Sequence, residues 1–179
     1  LKPARVPATL LNMTVKHAEV YPELQDDQML AIGIYGETVA AYRYTVLAEK
    51  VPGQEEQRTF AAIADEEQAH KQMLQRLFEK HFPGSAFALS DQDKALVLTG
   101  PRLINVRDLA DYREVLRITL ATELRTTQFY EAMRHQARNE ELREVFTTLA
   151  EEGFQHYQRL LKLGRERGLL PPEGETSAP

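Results

Sequence analysis

The chain predicts an all-α protein: an antiparallel four-helix bundle built from two duplicated hairpins joined by one long crossover, with an N-terminal extension. Three observations carry this. Four long segments place apolar residues three and four positions apart with polar residues between them, the pattern of amphipathic helices. Pro52-Gly53 and Pro83-Gly84 interrupt that pattern where two of the segments end. The second half of the chain also repeats the first. At 179 residues, 42% hydrophobic and 27% charged, the chain is long enough for one domain with a full-sized core.

Residues 1–25 are expected to form an N-terminal arm, in which Leu10 to Val20 is either a short extra helix or a segment packed on a neighbouring subunit. The first bundle helix runs from about Asp26 to Lys50, where Val51-Pro52-Gly53 stops it. The second starts near Gln54 and runs to about His81, before Phe82-Pro83-Gly84. The third follows Asn105 or Asp108 and reaches about Arg138. The fourth follows Asn139 and ends between Gly164 and Gly168, so the bundle spans 26–168. Residues 169–179 are rich in Pro, Gly, Ser and Glu and are expected to be a flexible tail. Short connections within each pair imply two antiparallel hairpins, whereas about 25 residues separate the second helix from the third. A helix of that length is about 37 Å long, so this segment must travel back along the bundle, with Ala95-Leu96-Val97-Leu98 as its packed stretch.

Sliding the sequence on itself by 86 positions lays the first hairpin on the second. Between residues 58–77 and 144–163, seven of twenty positions are identical: Phe60/Phe146, Ala64/Ala150, Glu66/Glu152, His70/His156, Gln72/Gln158, Leu74/Leu160 and Leu77/Leu163. About one is expected by chance in such a comparison. The same offset pairs Glu37 with Glu123 and Tyr44 with Tyr130. A duplicated hairpin folds with a pseudo-two-fold axis, so matched residues should face each other across the core.

Polar groups interrupt every inner stripe near mid-helix. The second helix reads Phe60, Ile63, Glu67, His70, Leu74, Leu77, and the fourth reads Phe146, Leu149, Gly153, His156, Leu160, Leu163. The first and third contribute Glu37 and Glu123, each followed seven residues later by Tyr44 or Tyr130. Unpaired buried carboxylates cost several kcal/mol or more, so three of them beside two histidines call for a cationic partner, and a pair of divalent metal ions supplies one. Carboxylates and neutral imidazoles suit iron, manganese or zinc.

Composition narrows the chemistry. The net charge is -5, so there is no positive field to attract nucleic acid or an anionic membrane. Zero cysteines exclude thiolate-held zinc, iron–sulfur clusters and a cysteine nucleophile. With no long apolar run and no continuous signal-peptide core, the expectation is a soluble, cytoplasmic protein with neither a nucleic-acid nor a membrane partner.

A Glu on one helix and Glu-x-x-His on the next, repeated after a long crossover, resembles the rubrerythrin and ferritin-like di-iron carboxylate family over roughly residues 26–165. The resemblance implies metal ligands at Glu37, Glu67, His70, Glu123 and His156. Where the family carries a second bridging glutamate, three residues before His156, this chain has Gly153. Glu152 is a candidate substitute for the missing ligand, and a position taken by water, peroxide or another small anion is the alternative. Thr126 stands where rubrerythrins often carry a further carboxylate. Tyr44 and Tyr130 are read either as core packing or as hydrogen-bond or redox partners of the ligands; no catalytic residue is assigned beyond them. Gly33 and Gly36, beside Glu37, allow close helix packing or open a channel to the metal. His17, His81 and His135 are expected at the surface.

The implied cofactor is two iron ions, with manganese or zinc as alternatives and without haem. The implied activity is reaction with hydrogen peroxide or dioxygen. An external electron donor is implied too, because the four-cysteine rubredoxin domain of full-length rubrerythrins has no counterpart here. A homo-oligomer is expected, a dimer being favoured. Iron sequestration with ferroxidase activity, a decayed centre in a structural role, and hydroxylation of an organic substrate are the competing readings.

Overall fold

A computed structural model describes residues 21–107 and 109–171; the expectations for Leu10 to Val20 and His17, and for the end of the tail, lie outside the described residues. The elements are α1 (Asp26–Lys50), α2 (Gln54–His81), a short α3 (Asp91–Ala95), α4 (Leu109–Gln136) and α5 (Glu140–Glu166), and no strand occurs among the described residues. α1 packs on α2 and α4 on α5, forming the two expected hairpins. No helix among the described residues is long and apolar enough to cross a membrane.

Local chemistry sets the helix ends. Gln25 and Gln28 cap each other's backbone at the start of α1, where Asp26 and Asp27 also complement the helix dipole. Pro52 forces the preceding Val51 into extended backbone (φ -71°, ψ 144°), which ends α1. At Gly53 a Cβ atom would lie 1.9 Å from a carboxylate oxygen of Glu56, so only glycine lets α2 begin there with Glu56 folded back. Glu56 is buried and pairs with Arg167 beyond the end of α5 (2.7 Å). The Asn139 side chain accepts from the Glu141 amide (2.9 Å) to start α5. α5 closes through Leu169 N–H to Gly164 O (2.8 Å), with Gly168 in the left-handed region (φ 65°). α4 stops at Gln136, two residues short of the expected Arg138.

The crossover runs back along the bundle as the length argument requires. Ser90 caps the single turn of α3, and of the stretch Ala95 to Leu98 only Val97 is fully buried. It seats on Gly36, where a Cβ would come within 3.3 Å of it. A fully buried Arg43 ties the crossover down. Its guanidinium donates to Thr122 Oγ1 (2.8 Å) and to the carbonyls of Thr99 (2.8 Å) and Pro101 (2.6 Å).

The core divides into two apolar clusters. One gathers Leu30, Leu74, Tyr130, Phe146 and Leu149; the other gathers Tyr44, Phe60, Ile63, Leu120 and Leu160. The polar residues that interrupt the stripes lie between them.

Candidate metal centre

Helical periodicity brings five side chains from four helices to one point. Glu37 comes from α1, Glu67 and His70 from α2, Glu123 from α4 and His156 from α5. All are buried except His70, whose side chain keeps 13% exposure. They form two triads, Glu37–Glu67–His70 and Glu67–Glu123–His156, each offering ligand atoms within 4.8 Å of one another. Glu67 belongs to both. Its Oε2 lies 3.3 Å from His70 Nδ1 and its Oε1 2.6 Å from His156 Nδ1, so one carboxylate turns one oxygen to each imidazole. Glu37 Oε2 lies 3.6 Å from His70 Nδ1, and Glu123 Oε2 lies 3.8 Å from His156 Nδ1. The two rings are 6.0 Å apart and nearly parallel.

Glu37 Oε2 and His156 Nδ1 are buried without an aligned hydrogen bond, even though Glu67 Oε1 is so close to the latter. Buried ligand atoms left without an aligned partner suit a shared cation, and oxygen-rich donors with one imidazole per triad fit a divalent ion. The residues present therefore fit a metal pair.

The electrostatics of these five side chains agree. Burial, reinforced by Glu67, pushes the Glu37 carboxyl well above its ordinary value and that of Glu123 up to about 7. For Glu67, burial acts in the same direction, but bonding to Glu37 and to both imidazoles outweighs it and holds this carboxyl below the usual range. Burial opposes charging of the imidazoles, yet the adjoining carboxylates override it and raise His70 to about 11 and His156 to about 9. Without metal, protons stand in for the missing positive charge.

A pH dependence follows. Glu123 binds its proton more tightly folded than unfolded, so its contribution to stability is lost as pH rises from the ordinary 4.5 through about 7. The two imidazoles contribute fully below 6.5 and lose that contribution as pH passes about 9 and about 11. Glu67 has the opposite sign, but its window lies below pH 4.5. Metal ions compete with all these protons. The melting-temperature gap between metal-loaded and metal-free protein is therefore expected to widen from pH 5 to pH 8, and a gap that narrows would contradict the assignment.

The outer contacts cross the internal repeat. Tyr44 on α1 donates to Glu123 on α4, and Tyr130 on α4 donates to Glu37 on α1. His156 Nε2 bonds Glu66 (2.7 Å), and His70 Nε2 bonds Glu152 (2.7 Å). Each hairpin thus holds the candidate ligands of the other. A carboxylate on Nε2 keeps the proton there and leaves the Nδ1 lone pair for an ion. Arg159 in turn braces Glu66 (Nη1 to Oε1, 3.2 Å).

Glu152, the candidate substitute for the missing carboxylate, is not among the converging groups. It lies in neither triad and occupies the outer nitrogen of His70, because its position on α5 points across to α2 instead of inward. Glu66 does the same for His156, a role unassigned in the sequence although the Glu66/Glu152 identity in the repeat was its signal. Glu152→Ala is expected to weaken the ion at His70 by about 10–100-fold and the ion at His156 much less. Competition with a chelator measures both; equal affinities in variant and wild type would remove Glu152 from this role.

Gly33 lies 3.1 Å, measured from a would-be Cβ, from the Tyr130 hydroxyl, so its small size makes room for the phenol that reaches Glu37. With Gly36 under Val97, both glycines serve close packing. His81 bonds Glu141 (2.8 Å) at the helix ends, and His135 is exposed.

Comparison with known proteins places this arrangement. The chain superposes on a hypothetical protein from Pyrococcus furiosus with TM-score 0.72 at 22% identity, covering 83% of this chain and 93% of that one. It also superposes on KatB, a manganese catalase from Anabaena, with TM-score 0.64 at 20% identity, covering 89% of this chain and 83% of that one. At such identities these likenesses show the ferritin-like helical fold. No curated protein sequence matches the chain. The rubrerythrin profile, however, matches residues 28–164, a span that holds both hairpins, the crossover and all five convergent side chains, and the chain belongs to the rubrerythrin family.

Proposed function

We propose that the chain is an oxidoreductase that consumes hydrogen peroxide at a pair of iron or manganese ions held by Glu37, Glu67, His70, Glu123 and His156. The observation that carries this reading is the sharing of Glu67 by two triads, buried but for the edge of His70, which makes one centre for two ions out of two half-sites. Family membership and a manganese catalase among the structural neighbours support it. When bound, the ions supply Lewis-acid polarisation of the O–O bond and a store of electrons.

The chain's own residues do the rest. Tyr44 and Tyr130 keep their phenolic protons at neutral pH, because burial first and the nearby carboxylates second raise both well above the ordinary value. They orient Glu123 and Glu37 while holding a proton at each Oη. The apolar clusters above and below exclude bulk water. A surface cleft of about 500 Å³, lined by Glu66, His70, Glu152, Gln155 and Arg159 among others, lies over the outer side of the imidazoles and is wide enough for a small polar substrate. Reduction of one hydrogen peroxide to two waters takes two protons and two electrons. With no cysteine in the chain, the electrons come from an external donor or from a second peroxide released as dioxygen.

Peroxide consumption by protein loaded with iron or with manganese, with and without a donor dye, tests the reading, with an oxygen electrode separating the two electron sources. Loss of peroxide well above the metal-free rate is the expected result. Rates equal to metal-free protein with both metals would end it, and a large hollow assembly on sizing chromatography would favour iron storage instead.

A further inference from the structure

We propose that Arg159 is a positioning residue that makes the two ion positions unequal, so that the ion among Glu67, Glu123 and His156 is bound more tightly and the ion at His70 is the exchangeable one. The inference rests on the proposed metal pair and adds an order of occupation that this chain's own residues impose.

The two outer carboxylates look alike but are held differently. Glu66 and Glu152 are matched in the repeat, each lies 2.7 Å from the Nε2 atom of an imidazole, and each keeps 43% of its side chain exposed. Solvent therefore does not distinguish them. Arg159 does: its guanidinium donates through Nη1 to Glu66 Oε1 (3.2 Å) and through Nη2 to Glu66 Oε2, the oxygen that also bonds His156 Nε2. A planar fork on both oxygens fixes the carboxylate and, through it, the ring. At the matching position on α2 the repeat places Met73, which has no N–H to donate, so Glu152 meets only His70.

That difference falls on the imidazoles. A loosely held carboxylate and its ring must be ordered as the ion binds, whereas a ring already turned to the ion spares that entropy. His156 is 1% exposed with Nδ1 2.6 Å from Glu67 Oε1; His70 keeps 13% exposure and its Nδ1 stands 3.3 Å from Glu67 Oε2. Of the two rings, His70 is the one that meets the water of the surface cleft, so its ion is the one placed to exchange. Prior ordering tightens the position at His156 and exposure loosens the one at His70, so both effects act in the same direction.

Cobalt(II) titration of the metal-free full chain, followed by visible absorption and by competition with a chelator, tests this without reference to turnover. Two steps are expected in the wild type; Glu123→Ala should remove the tighter and Glu37→Ala the weaker. Arg159→Met, which installs the residue of the other hairpin, should loosen the tighter step about tenfold, the lower end of what an outer partner of a ligating histidine is worth, and bring the two steps together. Arg159→Lys should recover part of the loss, since an ammonium lacks the fork that holds both oxygens. Met73→Arg should tighten the weaker step by a similar factor, and an unchanged step there would show that bracing the outer carboxylate is not what sets the affinity. A half-exposed ion pair adds little to stability, so the metal-free melting temperature of Arg159→Met should stay near that of the wild type, which separates positioning from a folding defect. Two ions bound with equal affinity by the wild type, or an unchanged tighter step in Arg159→Met, would overturn the role of Arg159 and leave the metal pair standing. Wild type that takes up no ion pair would overturn both.

Discussion

Glu67→Ala is expected to empty both ion positions at once. Its two oxygens face the two imidazoles separately, and no other side chain belongs to both triads. Removing it leaves Glu37 with His70 on one side and Glu123 with His156 on the other, two protein donors each, below the three or four that hold a divalent transition-metal ion. Metal content after a mild chelating wash should fall from about two ions per chain to near zero, with affinity reduced by more than the 10–100-fold that losing an outer hydrogen-bond partner costs. Peroxide consumption should fall with it to the metal-free rate. Glu37→Ala and Glu123→Ala provide the contrast, because each damages one triad and should release one ion preferentially. Circular dichroism would show that α2 still forms. Two ions retained by a folded Glu67→Ala protein would show that the bridging assignment is wrong.

The parts of this centre that were legible in the sequence are those reported by periodicity and by the repeat. Spacing of three and four residues places Glu67 and His70 on the inner face of α2 among Phe60, Ile63 and Leu74, and the offset of 86 residues transfers that register to His156 on α5. Proline, glycine and capping residues mark helix ends, so Asp26, Lys50, Gln54, His81 and Glu140 fall where expected. Periodicity names the face on which a residue lies, but it does not name the partner. Glu152 was within angular reach of the centre, and only the packing of α5 against α2 decides that it meets His70 from outside. Arg159 aligns with Met73 in the repeat, so it carries no duplicated signal, and its bond to Glu66 exists only once α2 and α5 are packed. The same holds for the phenols: spacing puts Tyr44 and Tyr130 two turns from Glu37 and Glu123, but each bonds the carboxylate of the other hairpin.

Arg43 was wholly invisible to that reading, and its replacement should produce the largest loss of stability away from the candidate ligands. In sequence it is one basic residue on a mixed helix; in the fold it is 1% exposed and makes three hydrogen bonds to the crossover and α4. Burial lowers its pKa from the ordinary value; a guanidinium stays protonated in proteins, so its bonds to the Thr99 and Pro101 carbonyls are charge-assisted. Truncation leaves those carbonyls without this donor and opens a void the size of a guanidinium beside α1. A cost of about 3 kcal/mol is expected, corresponding to a melting temperature lower by about 6–12 °C for a chain of this size. Arg43→Lys should recover part of this, since an ammonium reaches one or two of the acceptors but lacks the fork that spans all three. Thermal unfolding of metal-loaded wild type, Arg43→Ala and Arg43→Lys checks the order. Because Thr122 adjoins Glu123 on α4, the alanine variant should also hold the ion at His156 more weakly, whereas a role confined to pinning the crossover would leave metal affinity untouched.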